Sequence, residues 1–249
     1  MRIWLLDSGS LVIDQSHITW NVGAGTPVRF PVYSVLVEHE DGLFLFDSGY
    51  DLEHVNAVLP FELPEQASEQ TLPAQLALCG YSPADVGTLV NSHLHFDHVG
   101  GNKHLPGARV LIHAREIAQG RNCEPFERFG YSDRTWDHEE ARLVPVSGDL
   151  ELARGLWLYE TPGHTVGHYS LLVKPDAGAR AMLFGFDVVY TTDAYAKGMQ
   201  AGFHIDPVAG VRSIRRLEAL AEEHGADLYF PHDMDAWNGY RHAPDFYEV

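Results

Sequence analysis

The apolar positions of this chain fall mostly into short β-type runs bounded by Gly, Pro, Asn and Asp, with few stretches at helical spacing. Residues 3–13 read as two short strands about Asp7-Ser8-Gly9-Ser10. A loop with His17, Trp20, Asn21, Gly23, Gly25 and Pro27 follows, either a plain connection or a flap over a pocket. Runs 32–39 and 43–46, split by Glu40-Asp41-Gly42, predict a hairpin closed by Asp47-Ser48-Gly49. Residues 68–79 have helical spacing with Gly80 as the stop, and Ser82-Pro83 reads as a second helix start. A buried strand is expected at 88–91, another at 108–113, and a short helix at 114–119 ended by Gly120.

Between 121 and 142 the pattern breaks down, and Pro125, Phe126, Phe129, Tyr131 and Trp136 sit among charges. This is either an excursion beside a site or a loop folded over its own aromatics. Strands resume at 143–146, 150–153, 156–161, 169–174 and 181–186. Asp206-Pro207 opens the clearest helix, with Val208, Val211, Ile214, Leu217 and Ala221 on one face and Gly225 as its end. A last strand at 227–230 delivers Pro231-His232-Asp233. Strands with a few helices thus occur twice over, which predicts an α+β protein, a single domain over 1–249 built as an αββα sandwich.

The stretch Asn91-Ser92-His93-Leu94-His95-Phe96-Asp97-His98-Val99-Gly100-Gly101-Asn102 changes the picture from fold to chemistry. It sets three histidines and a carboxylate on a tight turn after a strand, where alternation points His93 and His95 the same way. Gly100-Gly101 is read as letting backbone come close to bound ions. With no cysteine nearby, the donors are nitrogen and oxygen, which suits a hydrolytic zinc centre better than a closed structural one. His164, Asp187 and His232 each follow a predicted strand and complete two ligand sets. His93, His95 and His164 are expected at one ion and Asp97, His98 and His232 at a second, with Asp187 between them. His113, His168 and His204 read instead as core histidines or as groups that orient a ligand.

Charge narrows the partners. Thirty-five acidic against 17 basic residues give a net charge of −18, with no basic cluster, so nucleic acid and anionic membranes are not expected partners. No apolar run approaches the roughly 18 residues that span a bilayer, and no leader pattern opens the chain, so cytoplasm is the expected compartment. Two isolated cysteines, Cys79 and Cys123, make no disulfide framework. Oligomeric state is left open.

In this order, the 93–98 motif, Pro162-Gly163-His164-Thr165-Val166-Gly167-His168, Asp187 and Pro231-His232-Asp233 resemble the metallo-β-lactamase superfamily. Asp187-Val188-Val189-Tyr190-Thr191 resembles its lactonase branch, which includes the acyl-homoserine lactonases. The stretches 29–34, 58–62, 129–133, 168–173 and 203–211 are similar to the 4-pyridoxolactonases of vitamin B6 degradation. Phe184-Gly185-Phe186, ahead of Asp187, departs from the pattern.

The resemblance implies two zinc ions, Asp187 as their bridge, Asp47 orienting a ligand histidine, and opening of a lactone by a metal-bound hydroxide. Asp97 and Tyr190 are then the expected catalytic residues, Tyr190 hydrogen-bonding the lactone, and Trp20, Arg29, Tyr131 and Tyr190 the expected substrate contacts. The aromatic supply favours a compact aromatic lactone; that it is 4-pyridoxolactone is what the resemblance implies, with an acyl-homoserine lactone as the alternative. A glyoxalase II-like thioesterase would want more basic residues to hold glutathione carboxylates, and a zinc-binding protein without chemistry would not need open coordination.

Overall fold

A computed structural model describes residues 1–131, 133–175 and 178–249; Ser132, within the 129–133 stretch, lies outside them. In chain order the strands are β1 (Arg2–Asp14), β2 (Pro27–His39), β3 (Gly42–Phe46), β4 (Thr88–Val90), β5 (Arg109–His113), β6 (Arg142–Val146), β7 (Leu150–Ala153), β8 (Leu156–Glu160), β9 (Tyr169–Val173), β10 (Ala181–Phe184), β11 (Ala226–Tyr229) and β12 (Tyr247–Glu248). The helices are α1 (Gln15–Ile18), α2 (Leu52–Val58), α3 (Leu72–Leu78), α4 (Phe96–Val99), α5 (Ala114–Arg121), α6 (Asp133–Trp136), α7 (Thr192–Ala196), α8 (Pro207–His224) and α9 (Met234–Gly239). They form two compact units: Met1–Val12 with Pro31–Val146 and Tyr240–Glu248, and Ile13–Phe30 with Ser147–Gly239.

The first unit is built on a seven-stranded sheet in the order β12-β1-β2-β3-β4-β5-β6. β2 and β3 make the expected hairpin, whereas β3, β4, β5 and β6 run parallel. Parallel neighbours need crossovers, and α2 to α5 supply them; the buried face packs Leu36, Leu45, Leu76, Leu89, Val110 and Ile112 into one core. The carboxyl ends of parallel strands share one edge, which is where such sheets place their ligands. Asp47 follows β3 and the histidine turn follows β4 at that edge.

The second unit holds a five-stranded sheet in the order β11-β10-β9-β8-β7. β9 is antiparallel to both β8 and β10, and β11 is parallel to β10. β8, β10 and β11 therefore all run the same way, and the residues just past their ends meet at one edge. The β10–β11 crossover is α8, whose Asp206 side chain accepts from the N–H groups of Val208 and Ala209 and whose end is Gly225 in the left-handed region at φ 58°. Its buried face is Gly210, Ser213, Ile214, Leu217 and Leu220. Val208, expected on that face, is exposed.

Several local expectations are corrected. β1 is one strand, because Gly9 at φ 92° absorbs the irregularity and a Cβ there would stand 2.3 Å from the Glu65 carbonyl. The 68–79 helix is split: Thr71 is extended at ψ 146°, so a single turn precedes α3. Ser82-Pro83 opens only one turn, Pro83–Asp85. Gly120 does not stop α5, which runs to Arg121; it makes room for Trp136, whose ring would be 2.8 Å from a Cβ. Trp136 is fully buried in the first unit's core, whereas Phe126 and Phe129 of the same stretch are exposed, so the loop is not folded over its own aromatics as a set. The β12 pairing with β1 joins the chain's two ends and leaves no local signal. No helix among the described residues is long and apolar enough to cross a membrane.

Candidate metal centre

In the first unit, β4 ends at Val90 and the chain turns through His93, His95, Asp97 and His98. The His93 ring lies 4.6 Å from that of His95 and 4.1 Å from that of His98, and His93, Asp97 and His98 are buried. Asp47 holds this turn together. One of its oxygens accepts from the Ser92 N–H at 2.7 Å; the other accepts from the Ser92 hydroxyl at 2.7 Å and from His98 Nδ1 at 2.8 Å. Asp47 sits at φ 58°, a left-handed conformation that aspartate tolerates better than most residues and that is found where function requires it.

These partners fix the tautomers. A carboxylate only accepts, so His98 carries its proton on Nδ1 and turns the Nε2 lone pair away from Asp47. The Ser92 proton is committed to Asp47, so His93 Nδ1, 3.1 Å from the hydroxyl, is the donor there as well. His95 is braced by the excursion: it bridges Tyr131, whose ring is 5.2 Å away, and a Cβ on Gly130 would be 3.1 Å from its ring. The expected role of Gly100-Gly101 is corrected. A Cβ on Gly100 would be 2.1 Å from the Asp51 nitrogen and one on Gly101 2.4 Å from the Ser48 carbonyl, so these glycines seat the turn on the chain after β3.

In the second unit, the ends of β8, β10 and β11 bring His164, Asp187 and His232 together. Asp187 Oδ2 stands 3.4 Å from His164 Nε2, and its Oδ1 3.3 Å from His232 Nε2. His164 Nδ1 is 2.8 Å from the Phe203 carbonyl, which fixes its proton there and leaves Nε2 as the donor atom. His168 is fully buried and receives the Asp187 N–H on Nε2 at 3.2 Å, while its Nδ1 meets the Thr161 hydroxyl at 2.9 Å. It positions the bridge candidate and has no ring nitrogen left for an ion. Phe186, at φ 45°, turns the chain from β10 into Asp187, so the departure at 184–186 is a strained corner. His204 lies 6.0 Å from His164, and burial lowers its pKa to about 4, so it is neutral at pH 7.

The donors fit zinc. Two ligand atoms about 2.0–2.1 Å from one tetrahedral ion stand about 3.3 Å apart. His164 and His232 each keep that spacing from a different Asp187 oxygen, and His98 Nε2 is 3.5 Å from Asp97 Oδ2. These separations are too long for good hydrogen bonds and right for neighbours on an ion.

The expected substrate contacts fall in different places. Tyr190 is buried next to the second group, its ring 4.7 Å from His232 at 90° and 5.9 Å from His164. Arg29 and His232 both line a cavity of about 710 Å³ in the second unit, with Thr19, Thr191, Thr192, Asp193 and Met234. Phe30 packs its ring 4.7 Å from His232. Trp20 is half exposed after α1 and is not among the cavity-lining residues; its backbone N–H donates to the Gln200 carbonyl at 2.9 Å. Tyr131 is buried in the first unit with its hydroxyl 3.5 Å from Glu116, which also accepts from the Leu94 N–H. Sequence reasoning missed Glu116, Phe203 and Thr161. A backbone carbonyl has no side-chain signature, Glu116 lies 22 residues from the Leu94 N–H it accepts from, and Thr161, seven residues before His168, looks like an ordinary strand-end threonine.

Residues 27–176 match the model of the metallo-β-lactamase superfamily. The chain belongs to that superfamily. It is 31% identical to the N-acyl homoserine lactonase AttM of Azorhizobium caulinodans, covering 100% of this chain and 99% of that protein. It is 27% identical to an N-acyl homoserine lactonase of Bacillus thuringiensis, covering 98% of each. A solved N-acyl homoserine lactone hydrolase, with the product N-hexanoyl-L-homoserine at its catalytic metal centre, superposes with a TM-score of 0.89 at 26% identity, covering 99% of this chain and 98% of that one. The expected αββα fold class is borne out by that likeness.

Proposed function

We propose that this protein is a zinc-dependent lactone hydrolase that uses two zinc ions per chain. Its ligands are His93, His95, Asp97 and His98 from the first unit and His164, Asp187 and His232 from the second. The observation that carries the reading is Asp187, whose two oxygens each face a different histidine at the spacing of ligands on zinc. Membership of the superfamily and the relatives' names support lactone hydrolysis. Zinc bound there supplies Lewis acidity for the ester carbonyl and lowers the pKa of coordinated water towards neutrality.

The protein's own side chains do the rest. Asp47 and the Phe203 carbonyl hold His98 and His164 with their Nε2 lone pairs presented. Tyr190, beside His164 and His232, offers a phenol O–H to the oxygen on which charge develops as the ring opens. Asp97, the second expected catalytic group, is buried 3.5 Å from His98 Nε2 and serves as a ligand.

The relatives support an N-acyl homoserine lactone as substrate. A second reading, 4-pyridoxolactone opened to 4-pyridoxic acid, is favoured by the cavity beside His232. Its lining mixes Gln15, Arg29, three threonines and three aspartates with Ile18, Val28, Met234 and two alanines, short of a long aliphatic channel, and Phe30 stands next to it against His232. A compact, polar aromatic ring fits that chemistry better than an acyl tail. Measuring kcat/KM for 4-pyridoxolactone against a C6–C10 acyl-homoserine lactone decides. A tenfold or greater acyl-homoserine preference selects the first substrate, the reverse selects the second, and hydrolysis of neither defeats the lactonase reading.

A further inference from the structure

The loop after α1 is neither a plain connection nor a loose flap. It is closed on itself: the Gln15 N–H donates to the Thr26 carbonyl at 2.8 Å, and the Asp14 carboxylate accepts from the N–H groups of Ser16 and Gly25 at 2.9 and 2.6 Å. Asn21 at φ 60° and Gly23 and Gly25 at φ 70° and 86° make its tight turns. Within the second unit this loop is fastened to residues 200–203. Besides the bond from Trp20 to the Gln200 carbonyl, the Gly202 N–H donates to the His17 carbonyl at 2.8 Å, and the His17 ring packs 4.4 Å from that of Phe203. The fit leaves no room for a side chain at 202, where a Cβ would stand 2.4 Å from the Ser16 carbonyl oxygen and 2.9 Å from His17 Cα. The residue held in this way is Phe203, whose carbonyl takes the Nδ1 proton of His164. A metal-binding histidine is oriented by the group that meets its second ring nitrogen, and a backbone carbonyl does this only as well as its own residue is fixed. Gln15, Ile18 and Thr19 at one end of the loop and Val28 and Arg29 at the other also line the cavity beside His232, so one loop walls one candidate ligand and braces another.

We propose that His17 and Gly202 are positioning residues for His164. They lock Phe203 so that its carbonyl keeps the His164 ring turned with Nε2 towards Asp187, 3.4 Å away. The proposal rests on His164 being a zinc ligand and goes beyond that reading by giving the loop after α1 a part in zinc binding. His17 acts through the packing of its ring, so another aromatic ring should serve in its place; Gly202 acts through the space it leaves for the Ser16 and His17 backbone.

The test compares full-length wild type with Gly202→Ala, His17→Ala, His17→Phe and, as a control, Gly239→Ala, where a Cβ meets nothing within 4 Å. Zinc affinity is read by competition with a chelator. The His164 Nδ1–H is read in metal-free, histidine-labelled protein by proton–nitrogen correlation, its resonance assigned by its loss in His164→Gln. Gly202→Ala and His17→Ala are expected to bind one of the two zinc ions about tenfold more weakly and to lose the hydrogen-bonded Nδ1–H resonance. His17→Phe and Gly239→Ala should keep the resonance and stay within about twofold of wild type in zinc affinity. Should Gly202→Ala fail to fold, the two His17 variants decide. Unchanged zinc affinity in His17→Ala, weaker zinc with the resonance intact, or an equal loss in His17→Phe would overturn the proposal. Neither readout needs a substrate: a wild type that binds zinc and opens no lactone defeats the lactonase reading alone, whereas a wild type without zinc or without that resonance overturns the positioning role.

Discussion

The two ligand groups are made in opposite ways. The first unit supplies four donors within six consecutive residues, and a single carboxylate, Asp47, ties the turn to the end of the neighbouring strand. The second unit supplies three donors that are 23 and 45 residues apart in sequence, at 164, 187 and 232, and only strand direction brings them to one edge. A contiguous turn can be repaired locally; a group drawn from three strands depends on its sheet and on the one residue that touches both others. Asp187 is that residue.

The sharpest way to break this contrast is Asp187→Ala. It removes both histidine contacts at once, and we expect lactone hydrolysis to fall to background and bound zinc to drop; full zinc content with retained turnover would show that the first group suffices. Next in size is Tyr190→Phe, which keeps the ring packed on His232 but removes the phenol O–H. Its kcat should fall by roughly 10- to 1000-fold with zinc content unchanged, and unaltered kinetics would make Tyr190 a packing residue. Asp47→Asn tests the first group. The amide cannot accept from the Ser92 N–H, the Ser92 hydroxyl and His98 together, and zinc affinity or activity should fall about 10- to 100-fold, read by competition with a chelator. The smallest effect is expected where the scaffold is touched and not the ligands. Asp206→Ala removes the cap of α8 and should cost about 1 kcal/mol in urea unfolding, leaving kcat/KM within about twofold.

The contrast also explains what could be read in the sequence. The first group was legible because its spacing is local: alternation along a strand followed by a turn names His93, His95, Asp97 and His98 without knowledge of the fold. The second group was legible only as strand ends, and it took the order β11-β10-β9-β8 to say why three of them share an edge. Strand positions came mainly from alternation and were close. Errors clustered where a residue's role is set by a distant neighbour: Gly120 by Trp136, Gly100 by the Asp51 backbone, Gly9 by the Glu65 carbonyl. Tyr131 reads in sequence as an aromatic near a pocket mouth, yet it lies buried against His95 and Glu116. The burial of Glu62 between exposed Phe61 and Leu63 gives no local signal, since an acid between Phe and Leu on a turn reads as the exposed member of the three.

Zinc stoichiometry tests the central claim most directly. Protein purified without chelator and titrated with zinc should bind two ions per chain by elemental analysis, and hydrolysis should rise with the second. One ion per chain, unchanged on adding zinc and accompanied by full activity, would contradict the assignment of both ligand groups to the reaction.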